Sequence, residues 1–335
     1  MKILIIANYN GSAGGISSQV KLLNYNLNKD GYQSYIFSTK ANIIVRILLF
    51  FRLIIIGRDK EVFHIHACSH WGFLPAIYGI AIGKLLQKKI ILTYHGGGAD
   101  EFFHKHKKFV RWWLSKTDQN IVLSGFLGNV FEKYNIPYTI LPNILEQDHI
   151  TKFRKNSISP KFISVRTLQP LYNIMCIVKA FEVVQKKINN ASLTILADGP
   201  CRKDLENYVN EHKLQNVKFT GFIPNKNVVE EMEKANILLS APFIDNQPVS
   251  ILEGFKAGLL VISSNVGGVP YMIKDQENGL LFENDNYKDL ANKMLWAIAN
   301  QSESISMIKK GQESLRSYSW DNIKNKLFDI YNVNI

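Results

Sequence analysis

The sequence predicts an α/β protein built from two consecutive units, each with its own parallel sheet. The chain has 335 residues, which suits two domains that each bury a core. Short runs rich in β-branched residues recur in both halves, and helical patterns fill the gaps between them. This alternation indicates crossover connections, which join parallel strands.

Each half contains six strand-like runs. In the first half they are KILIIAN, QSYIFST, VFHIHA, KIILTYH, QNIVLS and YTILPN, and in the second KFISVRTL, SLTILADG, NVKFTGFI, NILLSAP, LVISSN and GLLFEN. A helix is predicted over residues 16–29. The apolar run 43–57 is shorter than the roughly 20 residues of a membrane span and is interrupted by Arg46 and Arg52. We favour a crossover helix there, with an interfacial helix as the alternative.

A polar, basic segment ending in proline, residues 151–160, is typical of a linker. We therefore predict one domain over residues 1–155 and a second over residues 156–315. The tail YSWDNIKNKLFDIY predicts a last helix that starts near Asp321, with Ile323, Leu327 and Ile330 on one face.

Composition and charge narrow the class of protein. With 46% hydrophobic and 20% charged residues, the chain is globular. Residues 1–150 carry +8 of the net charge of +12, which favours a phospholipid surface, a phosphorylated substrate or nucleic acid, or only reflects surface lysines. No nucleic-acid recognition motif is evident, so nucleic acid is disfavoured.

Cysteine usage and the N-terminus indicate a cytoplasmic protein. The three cysteines show neither a CxxC pair nor a metal-ligand spacing, which predicts a reduced protein without a metal site. MKILIIANYN has a short apolar run and is interpreted as a first strand, not a signal peptide.

Two glycine-rich segments follow predicted strands of the first half. Gly14 and Gly15 belong to NYNGSAGGISSQV, which forms either a tight turn or a ligand loop; it is not GxGxxG, so a nicotinamide cofactor is disfavoured. In TYHGGGADEFF, Gly96 and Gly97 allow close backbone approach to a ligand, and His95 either donates a hydrogen bond to that ligand or is structural.

A basic and aromatic segment, HKHKKFVRWW, follows at residues 104–113. Cations next to indoles suit a membrane interface, where they meet headgroups. A solvated basic helix face with buried tryptophans is the alternative.

The second half places charged residues just after its strands. Arg166 in SVRTLQPLYN can bind phosphate oxygens through its planar fork. In SAPFIDNQPVSILEGFKAG, Pro248 suits a helix start, which predicts that the amides of Val249, Ser250 and Ile251 are free to meet an anion.

Asp245 and Glu253 lie at the two ends of this turn from loop to helix. Val249, Leu252, Phe255 and Leu259 form the predicted buried face of the helix, whereas Glu253 lies on another stripe. The two carboxylates either accept hydrogen bonds from vicinal hydroxyls or stabilise the positive end of the helix. A site that accepts hydrogen bonds from hydroxyl groups at both ends and binds phosphate between them suits a nucleotide-sugar.

Taken in order, these motifs resemble a known family. Asp245-x7-Glu253, followed by VISSNVGGVPYMI and NGLLF, is similar to the donor-site signature of retaining glycosyltransferases of the GT-B fold, family four. GGISSQV, TYHGGGADEF, ILPNI, SVRTLQPLYN, ILADGP, FTGFIP and YSWDNI extend the similarity nearly end to end.

The resemblance implies two Rossmann-like domains facing across a cleft, with residues 316–335 packing back on the first. The second domain is expected to hold a nucleoside-diphosphate sugar and the first a glycan or polyprenyl-diphosphate-linked acceptor at the inner face of the cell membrane. No cofactor and no metal are expected. His95, Arg166 and Asp245 are the implied catalytic residues, with His95 near the reaction centre, Arg166 on the diphosphate and Asp245 on the transferred sugar.

The remaining implied contacts are with substrate. Glu253 is expected to bind the donor ribose. The backbone of Val249, Ser250, Ile251 and Leu252 is expected to meet sugar or phosphate. The glycines at positions 14, 15, 96 and 97 are expected to line the cleft.

Two departures from the family pattern stand out. Asp245 stands where the family usually has Glu, in an Asp-Asn-x-Pro form. The phosphate-binding Lys that usually follows the Arg by a few residues is absent, and Leu171, Tyr172 and Asn173 occupy that segment. We expect an active enzyme in which Arg166 is the main cation on the diphosphate. The alternatives are a nucleotide-sugar epimerase or isomerase on the same scaffold and, less favoured, a non-enzymatic binder of anionic surfaces.

Overall fold

The computed structural model describes residues 1–9, 11, 15–40, 43–145 and 157–332. They divide into unit 1, Met1–Glu146 with Ser317–Ile335, and unit 2, Gln147–Arg316. The predicted boundary after residue 155 and the division after residue 146 both fall within residues 146–156, outside the described residues. The predicted boundary after residue 315 and the observed division after residue 316 differ by one position.

Unit 1 contains a parallel sheet in which the described residues form six strands. They are β1 (Lys2–Ala7), β2 (Gln33–Ser38), β3 (Val62–Ala67), β4 (Lys89–Tyr94), β5 (Gln119–Val122) and β6 (Thr139–Ile140). Their order in the sheet is β2-β1-β3-β4-β5-β6. The order in which strands are added to the sheet therefore reverses between β1 and β3. At such a switch point, ligands bind beyond the carboxyl ends of the strands.

Both faces of this sheet are buried, as parallel sheets require. Leu4 and Ile6 belong to one apolar cluster, while Ile3 and Ile5 belong to another on the opposite face. The helices that precede unit 2 are α1 (Gly15–Lys29), α2 (Ile43–Gly57), α3 (Leu74–Leu85), α4 (Ala99–Lys105), α5 (Lys107–Leu114) and α6 (Gly125–Lys133).

Helix α2 packs on the sheet through one face and exposes the other. Leu53 is fully buried, whereas Leu48, Phe51 and Ile55 are at least 60% exposed. The predicted crossover helix is therefore present, and it also presents an apolar outer stripe. Throughout the described residues, no helix is long and apolar enough to cross a bilayer.

Unit 2 repeats the architecture with another parallel sheet of six strands among its described residues. They are β7 (Lys161–Ser164), β8 (Ser192–Ile195), β9 (Val217–Phe219), β10 (Ile237–Ser240), β11 (Leu260–Ser264) and β12 (Leu280–Phe282). The sheet order is β12-β11-β10-β7-β8-β9, so the order of strand addition reverses between β7 and β10. Every strand predicted from the two halves of the sequence is present.

The helices of unit 2 flank this sheet. They are α7 (Ile174–Gln185), α8 (Arg202–Glu211), α9 (Asn225–Lys234), α10 (Val249–Lys256), α11 (Tyr287–Ala299) and α12 (Gln301–Ser314). The last helix, α13 (Trp320–Asn332), returns to unit 1, where Ile323, Leu327 and Ile330 pack with Ile3 and Ile5 of β1. It starts one residue before the predicted Asp321, and its apolar stripe accounts for this packing.

Candidate active site

Two charged side chains lie together in unit 2 at the point where the strand order reverses, between β7 and β10. Arg166 lies two residues beyond β7, and Asp245 lies in the loop that follows β10. Because β7 and β10 are parallel neighbours, these loops meet at the same sheet edge. Sequence spacing alone does not show this, since 79 positions separate the two residues.

The Arg166 guanidinium is held from three sides. Its Nη2 donates to Asp245 Oδ2 at 2.6 Å, and its Nη1 lies 3.4 Å from the Ser250 hydroxyl oxygen. The guanidinium carbon stacks 3.9 Å from the centroid of the Tyr172 ring. Only 14% of the Arg166 side chain and 19% of the Asp245 side chain are exposed, so solvent screens the pair weakly.

Tyr172 stands in the region where the family pattern has its lysine. The ring belongs to a 3₁₀ turn, Pro170–Tyr172, that follows Arg166. The Phe243 N–H donates to Leu171 O at 3.0 Å, which ties this turn to the loop that carries Asp245. Stacking on the Tyr172 ring orients the planar guanidinium of Arg166. A lysine in place of Tyr172 would supply a second positive charge but no such stacking surface.

The loop after β11 supports Asp245 from behind. The Gly268 N–H donates to the Asp245 backbone O at 2.9 Å, and the Asn246 N–H donates to Asp245 Oδ1 at 2.8 Å. Gly267 has φ +52°, and a side chain there would overlap the Asp245 carbonyl. The paired glycines of NVGGVP thus allow close backbone approach to the Asp245 loop.

The start of α10 differs in part from the prediction. Pro248 is the N-cap residue, one position before the first turn in which it was expected; no side chain caps the helix, and the Ile251 N–H donates to Pro248 O at 3.1 Å. The expectation that this amide is free was wrong, because the first turn closes on the proline carbonyl. Val249 is only half-buried, whereas Leu252 and Phe255 are buried as predicted.

Glu253 is exposed on α10, one turn inside the helix. Its carboxylate makes no hydrogen bond or ion pair with any described residue, so its oxygens can accept hydrogen bonds from a ligand. Desolvation by the surrounding protein raises the pKa of Glu253, while the positive charges of Arg166 and Lys256 oppose this shift.

The remaining predicted site residues belong to unit 1. His95 follows β4 directly, and Gly96 and Gly97 lie in the segment that leads into α4. Gly15 begins α1, whereas Gly14 lies outside the described residues. A side chain at Gly96 would come within 3.1 Å of the Ser69 hydroxyl oxygen, so this segment packs closely against its neighbour.

His95 belongs to a cluster of three histidines. Its Nε2 lies 2.8 Å from Nδ1 of His66, and the planes of the two rings differ by 23° with centroids 5.1 Å apart. The ring of His64 stacks on that of His66, with centroids 4.7 Å apart. The alternation in VFHIHA was the available signal, because residues two apart in a strand point to the same face.

Burial keeps the three imidazoles neutral. Desolvation lowers the pKa of His95 to about 4 and that of His64 to about 3, with a smaller contribution from the charge of His95 to the latter. Desolvation also holds the pKa of His66 well below its usual range, helped by His64 and His95. Neutral imidazoles are hydrogen-bonding groups, not cations, at neutral pH.

The two units therefore offer different chemistry. Unit 2 has a guanidinium and a helix N-terminus, which suit phosphate, beside the carboxylates Asp245 and Glu253, which suit hydroxyl groups. Unit 1 has a neutral imidazole at a sheet edge. Among the residues described, no group of three or more His, Cys, Asp or Glu side chains could hold a metal ion.

Comparison with known proteins identifies related sequences. Residues 146–314 match the family described as Glycosyl transferases group 1. The chain is similar to an uncharacterized glycosyltransferase of Methanocaldococcus jannaschii, with 24% identity over 76% of this chain and 71% of that protein. It is also similar to the alpha-monoglucosyldiacylglycerol synthase of Streptococcus pneumoniae, with 23% identity over 87% and 76% of the two chains.

Among solved structures, the Anabaena HepE protein in complex with UDP and glucose has a similar fold. The two chains are 13% identical, each is covered completely, and the TM-score is 0.78. At this identity the likeness concerns the fold alone, which is the GT-B fold expected from the sequence.

Proposed function

Because the chain belongs to the group 1 glycosyl transferases, and is thus a glycosyltransferase, we propose that it moves a hexose-type sugar from a nucleoside-diphosphate sugar. The acceptor is a hydroxyl of a glycan or lipid-linked glycan, in the synthesis of a cell-surface polysaccharide. The observation that carries the proposal is the cluster of Arg166, Asp245, Ser250 and Tyr172, which holds a fork-shaped cation beside the first turn of α10.

In this proposal the leaving diphosphate binds to Arg166 and to the N-terminus of α10. Charge develops on the diphosphate as the bond between sugar and phosphate breaks, and preorganised donors stabilise that charge best. Asp245 holds the guanidinium in place before the donor binds and then shares it with phosphate. Because Arg166 supplies the positive charge directly, the reaction needs no metal ion.

The carboxylates and His95 would bind hydroxyl groups of the donor. Glu253 accepts hydrogen bonds from the ribose, since its oxygens make no hydrogen bond or ion pair with any described residue. Asp245 contacts the transferred sugar through lone pairs that Arg166 and the Asn246 N–H leave open. His95 donates a hydrogen bond to the sugar as a neutral imidazole.

We propose that the reaction retains the anomeric configuration. The acceptor oxygen attacks C1 on the face from which the diphosphate departs, while the leaving phosphate oxygen takes the acceptor proton. One C–O bond breaks and one forms, so the step needs no protein nucleophile. The engagement of the Asp245 carboxylate with Arg166 supports this route, because it makes that carboxylate a poor nucleophile.

Donor binding provides the first test. A panel of UDP- and GDP-sugars should include one that stabilises the protein by about 2.7 kcal/mol at 100 times its Kd. Glu253→Ala should lower kcat/KM for that donor at least about 100-fold, since two charge-assisted hydrogen bonds are lost. Glu230→Ala, an exposed acid on α9 of the same unit, is the control. Full activity of Glu253→Ala would contradict the proposal.

The products test the finer claims. NMR of the first-formed glycoside should show the anomeric configuration of the donor, and an inverted product would refute retention. EDTA should leave the rate unchanged, and loss of activity in EDTA would refute metal independence. Incubation with the donor alone should leave it intact apart from slow hydrolysis. An altered nucleotide-sugar formed without acceptor would favour an epimerase.

We further propose that unit 1 binds the inner face of the membrane peripherally. On α5, Phe109 is 45% exposed and Trp112 is 56% exposed, among the exposed cations Lys107, Lys108 and Arg111. The outer stripe of α2, formed by Leu48, Phe51 and Ile55, adds further apolar surface. Aromatic and basic side chains on one helix suit an anionic headgroup layer.

Sedimentation with vesicles tests this surface. The protein should bind vesicles of phosphatidylglycerol and phosphatidylcholine more strongly than phosphatidylcholine alone, and high salt should weaken the binding. Phe109→Ala with Trp112→Ala should lower the bound fraction severalfold. Phe222→Ala removes an aromatic ring that is 76% exposed in unit 2 and should leave binding unchanged. Equal loss in both variants would overturn the assignment.

A further inference from the structure

The histidine cluster of unit 1 contains a buried group that the proposed reaction does not use. His66 is 5% exposed and contacts the rings of both His64 and His95. His64 is itself held on both ring nitrogens, by the Tyr331 hydroxyl at 2.6 Å and the Thr93 hydroxyl at 2.8 Å. The cluster is therefore anchored to α13 and β4, and His66 connects this anchor to His95.

The contact between His66 and His95 constrains their protons. The two nitrogens, His66 Nδ1 and His95 Nε2, are 2.8 Å apart, so one of them carries a hydrogen and the other accepts it. Burial keeps both rings neutral, and a neutral imidazole has one donor and one acceptor nitrogen. The direction of this hydrogen bond consequently determines the tautomer of both residues.

The other nitrogen of His66 distinguishes the two arrangements. His66 Nε2 is buried and has no hydrogen-bond partner among the described residues. If His95 donated to His66, the proton of His66 would be on Nε2, as a buried N–H without an acceptor. If His66 donates, only a lone pair is left unpaired there, and orphaned buried N–H groups are the rarer of the two.

We propose that His66 is a positioning residue that donates its Nδ1–H to His95 Nε2 and so holds His95 as the Nδ1–H tautomer. The Nδ1–H of His95, which has no partner among the described residues, is then the group that donates to a sugar hydroxyl. This inference rests on the proposed function for that last contact. The tautomer itself follows from the hydrogen bond within unit 1.

Nitrogen NMR of the protein labelled with ¹⁵N-histidine tests the tautomer without any substrate. Long-range ¹H–¹⁵N spectra distinguish protonated from bare ring nitrogens, and spectra of His95→Asn and His66→Asn assign the two rings. In the wild-type protein, Nδ1 of His95 should be protonated and Nε2 bare. A protonated Nε2 on His95 would overturn the inference, whether or not the protein transfers a sugar.

Two substitutions at His66 test the positioning role in catalysis. Asparagine places an amide N–H₂ near the position of Nδ1 and can still donate, whereas leucine cannot. His66→Leu should lower kcat about tenfold, corresponding to one lost hydrogen bond, with little change in acceptor KM, and His66→Asn should recover most of that loss. In His66→Leu the NMR spectra should also show both tautomers of His95.

His64→Leu is the matched control, because it removes a stacked imidazole of the same cluster that makes no hydrogen bond to His95. It should lower stability but leave kcat closer to the wild-type value than His66→Leu does. Equal kcat values for His66→Asn and His66→Leu would show a packing role only. A wild-type tautomer as predicted, in a protein without transferase activity, would refute the proposed function and leave the tautomer assignment standing.

Discussion

Units 1 and 2 place functional side chains at the edges of similar parallel sheets, but with opposite electrostatics. In unit 2, Arg166 and Asp245 form an ion pair that solvent reaches only in part. In unit 1, burial removes the charge from His64, His66 and His95. In the proposed reaction the diphosphate meets the persistent cation of unit 2 and a sugar hydroxyl meets the directional hydrogen bond of unit 1.

The largest expected effect comes from removing the charge in unit 2. Arg166→Ala should lower kcat/KM by about 100- to 1000-fold, because one preorganised donor to the developing charge is lost. Arg166→Lys should fall between that variant and the wild type, since it keeps a charge but loses the fork. Steady-state kinetics with the preferred donor give both values.

Lys218→Ala is the control for this prediction, because it removes a cation paired with Glu231 in the same unit. Its kcat/KM should equal that of the wild type. If Arg166→Ala kept wild-type activity, the contrast between a charged and a neutral unit would have no catalytic meaning.

A smaller effect is expected from the backbone that supports Asp245. Gly267→Ala adds a side chain at φ +52° that overlaps the Asp245 carbonyl, whereas Gly31→Ala adds one at φ +87° into open space. Both substitutions carry left-handed strain, so their difference isolates the overlap, which should cost about 1–3 kcal/mol more of unfolding free energy. Urea unfolding measures this difference.

Activity should distinguish the same two variants. Gly267→Ala should lower kcat/KM because the Asp245 loop must move, while Gly31→Ala should retain it. Equal activities would mean that the position of Asp245 tolerates displacement.

At neutral pH the smallest effect comes from unit 1, and it grows as the pH falls. The folded-state pKa values of His64 and His95, about 3 and about 4, lie below the value of about 6.5 in an unfolded chain. Between pH 6.5 and 4 the unfolded chain binds protons that the folded protein does not. Stability should therefore fall as the pH falls, by about 1.4 kcal/mol per pH unit for each such histidine.

Replacement of one histidine sharpens this comparison. His64→Gln should reduce the slope of unfolding free energy against pH by one proton in that window, whatever its effect on stability at pH 7. His104→Gln removes an exposed histidine of α4 and should leave the slope nearly unchanged. An unchanged slope in His64→Gln would mean that the buried cluster is protonated in the folded protein.

The sequence was sufficient for the elements and for the kind of site. Strands such as β1 and β11 were predictable because runs of β-branched residues between turn signals have few other stable conformations. The stripe of Ile323, Leu327 and Ile330 likewise predicted an amphipathic α13. Local chemistry also indicated Arg166, Asp245 and Glu253 as candidates, although two of the three form an ion pair that the spacing did not suggest.

The details that sequence reasoning missed depend on contacts between distant segments. The Ile251 amide closes on Pro248, which a count of free helix amides does not anticipate. His66 was overlooked because its partner, His95, lies just beyond the neighbouring strand β4. The pattern VFHIHA placed two histidines on one face but did not reveal what that face contacts.

The sequence by itself determined the sheets, the helices and the inventory of charged and glycine residues, because these follow from local propensity and alternation. Only the tertiary structure decided which groups are paired in unit 2 and which are kept neutral by burial in unit 1. Strand order brings Arg166 to Asp245 in unit 2 and His66 to His95 in unit 1. Burial then lowers the pKa values of His66 and His95, and burial cannot be read along the chain.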